Sequence, residues 1–263
     1  MMKYEWKNGY IQNRMKLLLG TGVLIFITYI AIEDCLLTME GKVTLGDCLF
    51  YLFAGSREYR YSQEGRFELP VLWLLFHAYL FFMLCSYPAN DMKGMGIQGM
   101  LRTGGRRKWF LGKFLWAAGG VGLFWVLEVL VLVIEIAGFR FTRETAVVLD
   151  PRAAVLGEHW GILFFLPLAV NIAIAVLQLI GSLFFNPFLA YTGTLVYLII
   201  SVYLKNMFLL GNYSMMLRNR CLADGGVQTG VGIAVSGAVI LGGYWCGSVY
   251  MDRKDLTGKG QEL

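Results

Sequence analysis

Residues 160–204 read WGILFFLPLAVNIAIAVLQLIGSLFFNPFLAYTGTLVYLIISVYL, 45 positions without a charged side chain. About 20 mostly apolar residues cross the ~30 Å hydrocarbon core of a bilayer, so this run is too long for one helix. Asn186-Pro187 lies inside it as a turn signal. The run therefore divides into spans at about 161–185 and 188–207. Outward from it, Leu69–Asn90 is a second uncharged run, stopping near Pro88, and gives a span at 69–88. Gly225–Met251 is a third and gives a span at 228–250. Residues 17–37 form a first span whose far end is marked by Glu33 and Asp34, and residues 112–137 form one interrupted by Glu128 and Glu135. The expectation is an all-α polytopic membrane protein with six transmembrane helices in one membrane domain over residues 1–263.

Composition agrees. Of 263 residues, 57% are apolar and 16% charged, whereas soluble domains carry about 25% charged residues. The 18 Phe, 14 Tyr and 7 Trp suit apolar spans with aromatic belts at two interfaces. A secreted disulfide scaffold, a disordered chain and a cytosolic enzyme are excluded.

Six spans place both termini and the 88–111 loop on one side. That side holds Lys3, Lys7, Arg14, Lys16, Lys93, Arg102, Arg106, Arg107, Lys108, Lys113, Arg253, Lys254 and Lys259, against Glu5, Asp91, Asp252, Asp255 and Glu262. Cytoplasmic loops are enriched in Lys and Arg, so both termini are expected in the cytoplasm. The formal charge of +5 is then a topology signal and implies no nucleic-acid partner.

Residues 1–16 (MMKYEWKNGYIQNRMK) set Tyr4, Trp6, Tyr10 and Ile11 against Lys3, Lys7, Arg14 and Lys16. This pattern predicts a basic interfacial helix in the headgroup plane, retained as an anchor rather than cleaved as a signal. In the first outer loop, Leu45–Phe53 (LGDCLFYLF) is too short to span and too apolar for a free loop, so it is expected on, or dipping into, the outer leaflet. Cys35, Cys48 and Cys221 would face outward and Cys85 and Cys246 lie within spans; free thiols and one outer disulfide both remain open.

The search for chemistry returns little. No Gly-Lys pair has the Walker spacing, so this chain is expected to bind no ATP or Mg itself and not to be an enzyme. There is no His-Glu-x-x-His, and Ala-Val-Ser236-Gly237 lacks both the leading Gly and a following His of a serine protease loop. His77 and His159 stand alone, no metal site is visible and no catalytic constellation emerges. Glu128 and Glu135, seven residues apart, share a helical face. An acid within a span is costly and usually faces protein or a wet cavity, which makes Glu128 a candidate for a substrate pathway or, more simply, a structural hydrogen-bonding group. Gly226 with Gly230 and Gly243 with Gly247 have the small-residue spacing of close helix packing, either inside the chain or between subunits.

The densest signal is residues 88–116, PANDMKGMGIQGMLRTGGRRKWFLGKFLW: a short helix-like block, a basic Gly turn, then directly a span. Ordinary anchoring by anionic headgroups explains the basic residues but not the block Gly96–Arg102 ahead of them. The pattern of short helix, Gly turn, Arg-Arg-Lys-aromatic-x-x-Gly-Lys and apolar span resembles the permease subunits of type-2 ABC exporters. It is also similar to a less characterised Gram-positive branch of that family, on DCLFYLFAG (47–55), ELPVLWLLFHAYL (68–80) and FLLGNYSMMLR (208–218).

This resemblance implies an export permease in the bacterial cytoplasmic membrane, and the apolar spans, with Glu128 as their one well-buried charge, suit a hydrophobic or amphipathic substrate. It implies a coupling helix within 91–109, with Gln98, Met100, Leu101, Arg102, Arg106 and Arg107 seated on a separate cytosolic ATP-binding subunit that brings ATP and Mg. It also implies pairing with a second permease, as homodimer or with a paralogue. The alternative is a membrane regulatory or sensor subunit that recruits a cytosolic partner and transports nothing.

Overall fold

A computed structural model of the chain describes residues 2–39, 42–58, 69–93, 105–143 and 147–253. The elements are α1 (Met2–Thr38), β1 (Val43–Thr44), α2 (Leu45–Phe53), α3 (Val71–Cys85), α4 (Tyr87–Lys93), α5 (Arg106–Arg143) and β2 (Val147–Val148). They continue as α6 (Ile162–Phe184), α7 (Pro187–Tyr203), α8 (Gly211–Ser214) and α9 (Thr229–Arg253), with single 3-10 turns at Gly157–His159 and Met216–Arg218.

Among the described residues, four helices are long and apolar enough to cross a membrane: Trp6–Thr38 of α1, Arg106–Phe139 of α5, α6 and α9. The other two expected spans are shorter, α3 at 15 residues and α7 at 17. At 1.5 Å per residue these reach only about 23 and 26 Å. The reason for the first is local. Pro88 has no N–H to return to the carbonyl of Leu84, and α3 gives way at Ser86 before α4 resumes. The charge-free run does fold as two helices: α6 ends at Phe184, the Asn186 side chain accepts from the N–H of Phe188, and Pro187 takes the first helical position.

Two expectations are corrected at the N-terminal side. The interfacial helix is not a separate element; it is the first turns of α1, which run without a break past Lys16. Trp6 lies against Gly119 and Trp116 against Gly9, so these turns are held on α5 by aromatic packing. The segment Leu45–Phe53 does not rest on the surface. All of α2 except Tyr51 is buried, packed between α1, α3, α5 and α6.

What allows α2 to enter the bundle is its polar end. Thr44 and Asp47 form a capping box, the N–H of Asp47 donating to Thr44 Oγ1 and the N–H of Thr44 to Asp47 Oδ2. The second oxygen of Asp47 accepts from the N–H of Ala154 at 2.7 Å. β1 and β2 pair in parallel alongside, Val43 opposite Val147. Gly46 is required here, because a Cβ would sit 2.4 Å from the backbone of Pro151 and Arg152.

Along α5 the buried positions Trp109, Lys113, Trp116, Val121, Phe124, Trp125, Glu128, Leu132 and Ile136 fall on one stripe of the 3.6-residue period, while Leu115, Val126, Leu130 and Ile134 face outward. The start of α5 meets the last turn of α9, through Arg106, Arg107 and Asp252, and the early turns of α1. Both ends of the described chain thus lie at one end of the bundle, here termed the termini end; β1, β2 and α8 lie at the far end.

Candidate functional site

The interior of the bundle carries buried polar side chains. Glu128 on α5 is 0% exposed, and neither carboxylate oxygen has a hydrogen-bond partner among the described residues. Glu135, two turns on, is half-buried with Thr28 of α1 beside it. On α3, His77 donates from Nδ1 to the carbonyl of Trp73 at 2.7 Å and lies tilted against the Trp73 ring, centroids 4.2 Å apart. Its Nε2 is buried and faces the side chain of Asn171 on α6, which is buried as well. Gln178, seven residues after Asn171 and on the same face, donates to the carbonyl of Phe81 at 2.8 Å. Rings separate the acid from the imidazole: Phe53 of α2 packs on Phe76, His77 and Trp125, and Trp125 is one turn from Glu128. Buried polar groups are ordinarily satisfied, so partnerless ones mark positions for water or a ligand. The set offers a hydrogen-bonding interior and no nucleophile–base pair. No group of three metal-ligating side chains occurs among the described residues.

At the termini end a second polar cluster joins α4 to α5. Lys113 Nζ pairs with Asp91 Oδ2 at 2.7 Å, with the side chains 0% and 5% exposed. Trp109 Nε1 donates to the same oxygen at 3.1 Å. The ammonium lies 4.2 Å over the Tyr87 ring and 5.2 Å over that of Trp109. Gln98, Met100, Leu101 and Arg102 lie outside the described residues. Arg106 and Arg107 are described, and they hold the end of α9: Arg106 donates to the carbonyl of Asp252 at 2.9 Å and Arg107 pairs with its carboxylate. Arg107 remains 68% exposed.

The far end is closed by Arg218. Its guanidinium is 2% exposed and reaches the carbonyls of Ser56, Arg57, Ser201 and Val202 and the side chain of Asn212. It thereby satisfies the open carbonyls at the end of α7 and ties that end to the chain leaving α2. Burial draws its pKa down to about 10, against the pull of Glu58, and it stays charged at neutral pH. A cleft of about 300 Å3 opens beside it, lined by Arg57, Glu58, Lys205 and Asp224. Lys205 there reaches Glu58 at 3.5 Å and the carbonyl of Gly225 at 2.6 Å.

The glycine pairs divide. Gly226 is not on α9 at all; it lies in the preceding loop, where a Cβ would meet backbone of residues 218–220. Gly230 opens the helix and faces nothing within 4 Å. Gly243 and Gly247 are packing residues, Gly243 against Val176 and Ile180 of α6 and Gly247 against the Phe110 ring of α5. Of the three cysteines expected to face outward, Cys221 is exposed but Cys35 and Cys48 are buried, and all five are free thiols, one of the two readings left open.

Sequence reasoning did not single out Asn171, Gln178, Asp47, Arg218 or the pairing of Asp91 with Lys113. Two polar residues seven apart in a charge-free helix were a usable signal for Asn171 and Gln178. Nothing local distinguishes Arg218 from an ordinary loop arginine.

The fold defines the class: a helical membrane protein whose apolar bundle encloses a polar interior. The chain belongs to DUF2705, a family of proteins of unknown function, whose profile matches residues 23–241. No curated protein and no solved structure matches it.

Proposed function

We propose that this chain is the transmembrane subunit of an ATP-driven exporter, moving a hydrophobic or amphipathic substrate with a separate cytosolic ATPase. The observation that carries the reading is the corner between α4 and α5. Both helices are pinned at the termini end by Asp91 and Lys113, they bracket residues 94–104, and the 38-residue α5 carries Glu128 along its course. A partner bound at 94–104 would act directly on the helix that carries the partnerless acid. The same segment, with Arg102, Arg106 and Arg107, carries the resemblance to type-2 ABC permeases. Because the sequence has no Walker spacing, ATP and Mg belong to the partner.

In this reading all six apolar helices span. α3 and α7 do so with locally thinned bilayer, a modest cost per ångström of mismatch. Both termini face the cytoplasm of a bacterial cell, and two permeases pair around the pathway.

The test is co-expression with the ATP-binding subunit encoded nearest to it, followed by purification in detergent. Arg102→Glu and Arg106→Glu are expected to release the ATPase while the permease keeps its melting temperature within a few degrees. Unchanged copurification would show that docking is elsewhere. In proteoliposomes the wild-type pair should show substrate-stimulated ATP hydrolysis; its absence would make the chain a recruiter that moves nothing.

A further inference from the structure

Resting on the reading that a substrate crosses the bundle, we propose that this substrate is an organic cation on an apolar body, such as a protonated amine, and that Glu128 receives it. Glu128 is 0% exposed, and neither carboxylate oxygen has a partner among the described residues. Side chains on a helix lean toward its N-terminus, so this carboxyl projects back over the residues three and four before it, Trp125 and Phe124. Both rings are buried and join one aromatic cluster. Trp125 lies 4.9 Å from Phe53 and Phe124 lies 5.4 Å from Phe76, centroid to centroid.

Among the described residues no base answers this acid. α5 packs on α1, α2, α3, α6, α9 and β2, and of these α2, α3, α6 and β2 carry no Lys or Arg. The described basic side chains of the other two stand at the termini end: Lys7, Arg14 and Lys16 on the early turns of α1 and Arg253 in the last turn of α9. Lys16 is held there by Ser86 Oγ at 2.7 Å. On α5 itself, Lys113 precedes Glu128 by about four turns and is paired with Asp91. The His77 imidazole is set apart from the acid by the Phe53 ring. Acids inside a membrane ordinarily pair with a cation or line a pathway. A carboxylate over ring faces attracts a cation twice, through its own charge and through the negative faces of the rings. An anion is repelled by both, and a neutral body gains only the ring contacts. Glu135, two turns on along the same face and half-buried, continues the acidic stripe toward the far end. With Glu128 fully buried, the cation reaches it only when α5 parts from a neighbouring helix, which is the opening that transport itself requires.

The experiment uses the full chain in lipid nanodiscs, with radiolabelled tetraphenylphosphonium and tetraphenylborate as probes, each measured separately. The two share a body and differ in the sign of their charge. The phosphonium is expected to bind saturably above protein-free nanodiscs, and the borate is not. Glu128→Gln keeps the shape and removes the charge, and is expected to weaken phosphonium binding at least about tenfold while melting like the wild type. Glu128→Asp, which restores the charge on a shorter stem, should retain part of the binding. Absence of saturable phosphonium binding, equal binding of the borate, or unchanged binding in Glu128→Gln each overturns the proposal. The transport reading is scored apart, by ATP hydrolysis of the reconstituted pair. Phosphonium that binds through Glu128 and stimulates no hydrolysis sinks that reading and leaves the cation site. Hydrolysis stimulated by a neutral amphiphile, with no phosphonium binding, sinks the cation site and leaves the reading.

Discussion

Lys113 Nζ lies 2.7 Å from Asp91 Oδ2 at the junction of α4 and α5, with neither side chain more than 5% exposed. The pair satisfies itself. Trp109 supplies a second donor to the carboxylate, and the Tyr87 and Trp109 rings face the ammonium in place of water.

Removing one partner leaves the other charge buried, which costs about 3–5 kcal/mol, whereas removing both with apolar residues is often close to neutral. Lys113→Met alone is therefore expected to lower the thermal midpoint in detergent severely. The double variant Asp91→Leu with Lys113→Met should recover most of that loss. Equal loss in the single and double variants would show that the pair contributes through shape and not charge.

Glu128 has no partner for either oxygen among the described residues, although it occupies a core position of α5. A buried carboxyl without hydrogen bonds costs on the order of 1–3 kcal/mol or more. Glu128→Leu is expected to raise the thermal midpoint while abolishing substrate-stimulated ATP hydrolysis in the reconstituted pair. A lower midpoint would mean that Glu128 is a structural group held by something in the bundle.

Arg218 joins the end of α7 to the chain after α2 through six hydrogen-bonding acceptors. Arg218→Lys keeps the charge but cannot reach carbonyls on both sides from a single ammonium. Hydrogen bonds to a charged group contribute about 1.5–3 kcal/mol each, so Arg218→Lys and Arg218→Met should both lose at least ~3 kcal/mol. Limited proteolysis should then cut within 204–228 in either variant and not in the wild type.

The α9 glycines give a graded steric test. Gly247→Leu must displace the Phe110 ring and Gly243→Leu the Val176 side chain, while a Cβ at Gly230 meets nothing within 4 Å. Overpacking costs about 1–3 kcal/mol. The first two variants should melt early and the third should melt like the wild type; loss at Gly230 instead would reveal a second chain on that face.

Much of the architecture is visible in hydropathy because every polar backbone group within a bilayer must be bonded internally, which leaves helices as the solution for apolar runs of this length. The division at Asn186-Pro187 was legible for the same reason that it exists: an Asn cap followed by a residue without an N–H begins a helix. The lengths were less so. An uncharged run cannot tell a continuous helix from one broken at Ser86, nor can a basic aromatic segment tell a surface helix from the first turns of α1.

Glu128 was conspicuous as an acid within a span, and its burial agrees with that signal. Asn171 and His77 were not, because neutral polar residues are common enough in helices to pass unnoticed until two helices bring them side by side. The basic run at 106–108 was read as a docking surface, yet two of its members reach Asp252, 146 and 145 residues away in the chain. Only the antiparallel course of α5 and α9 makes them neighbours.

The sequence by itself determined that this is a helical membrane protein and where its longest apolar helices run. Those properties follow from composition, period and spacing, which are local. The tertiary structure alone decided that α2 enters the bundle, that Asp91 and Lys113 close the α4–α5 corner, that Arg218 seals the far end, and that Gly243 and Gly247 face inward. Each of these depends on which helix stands beside which, and long-range packing is set by the fit of whole faces rather than by any short run of residues.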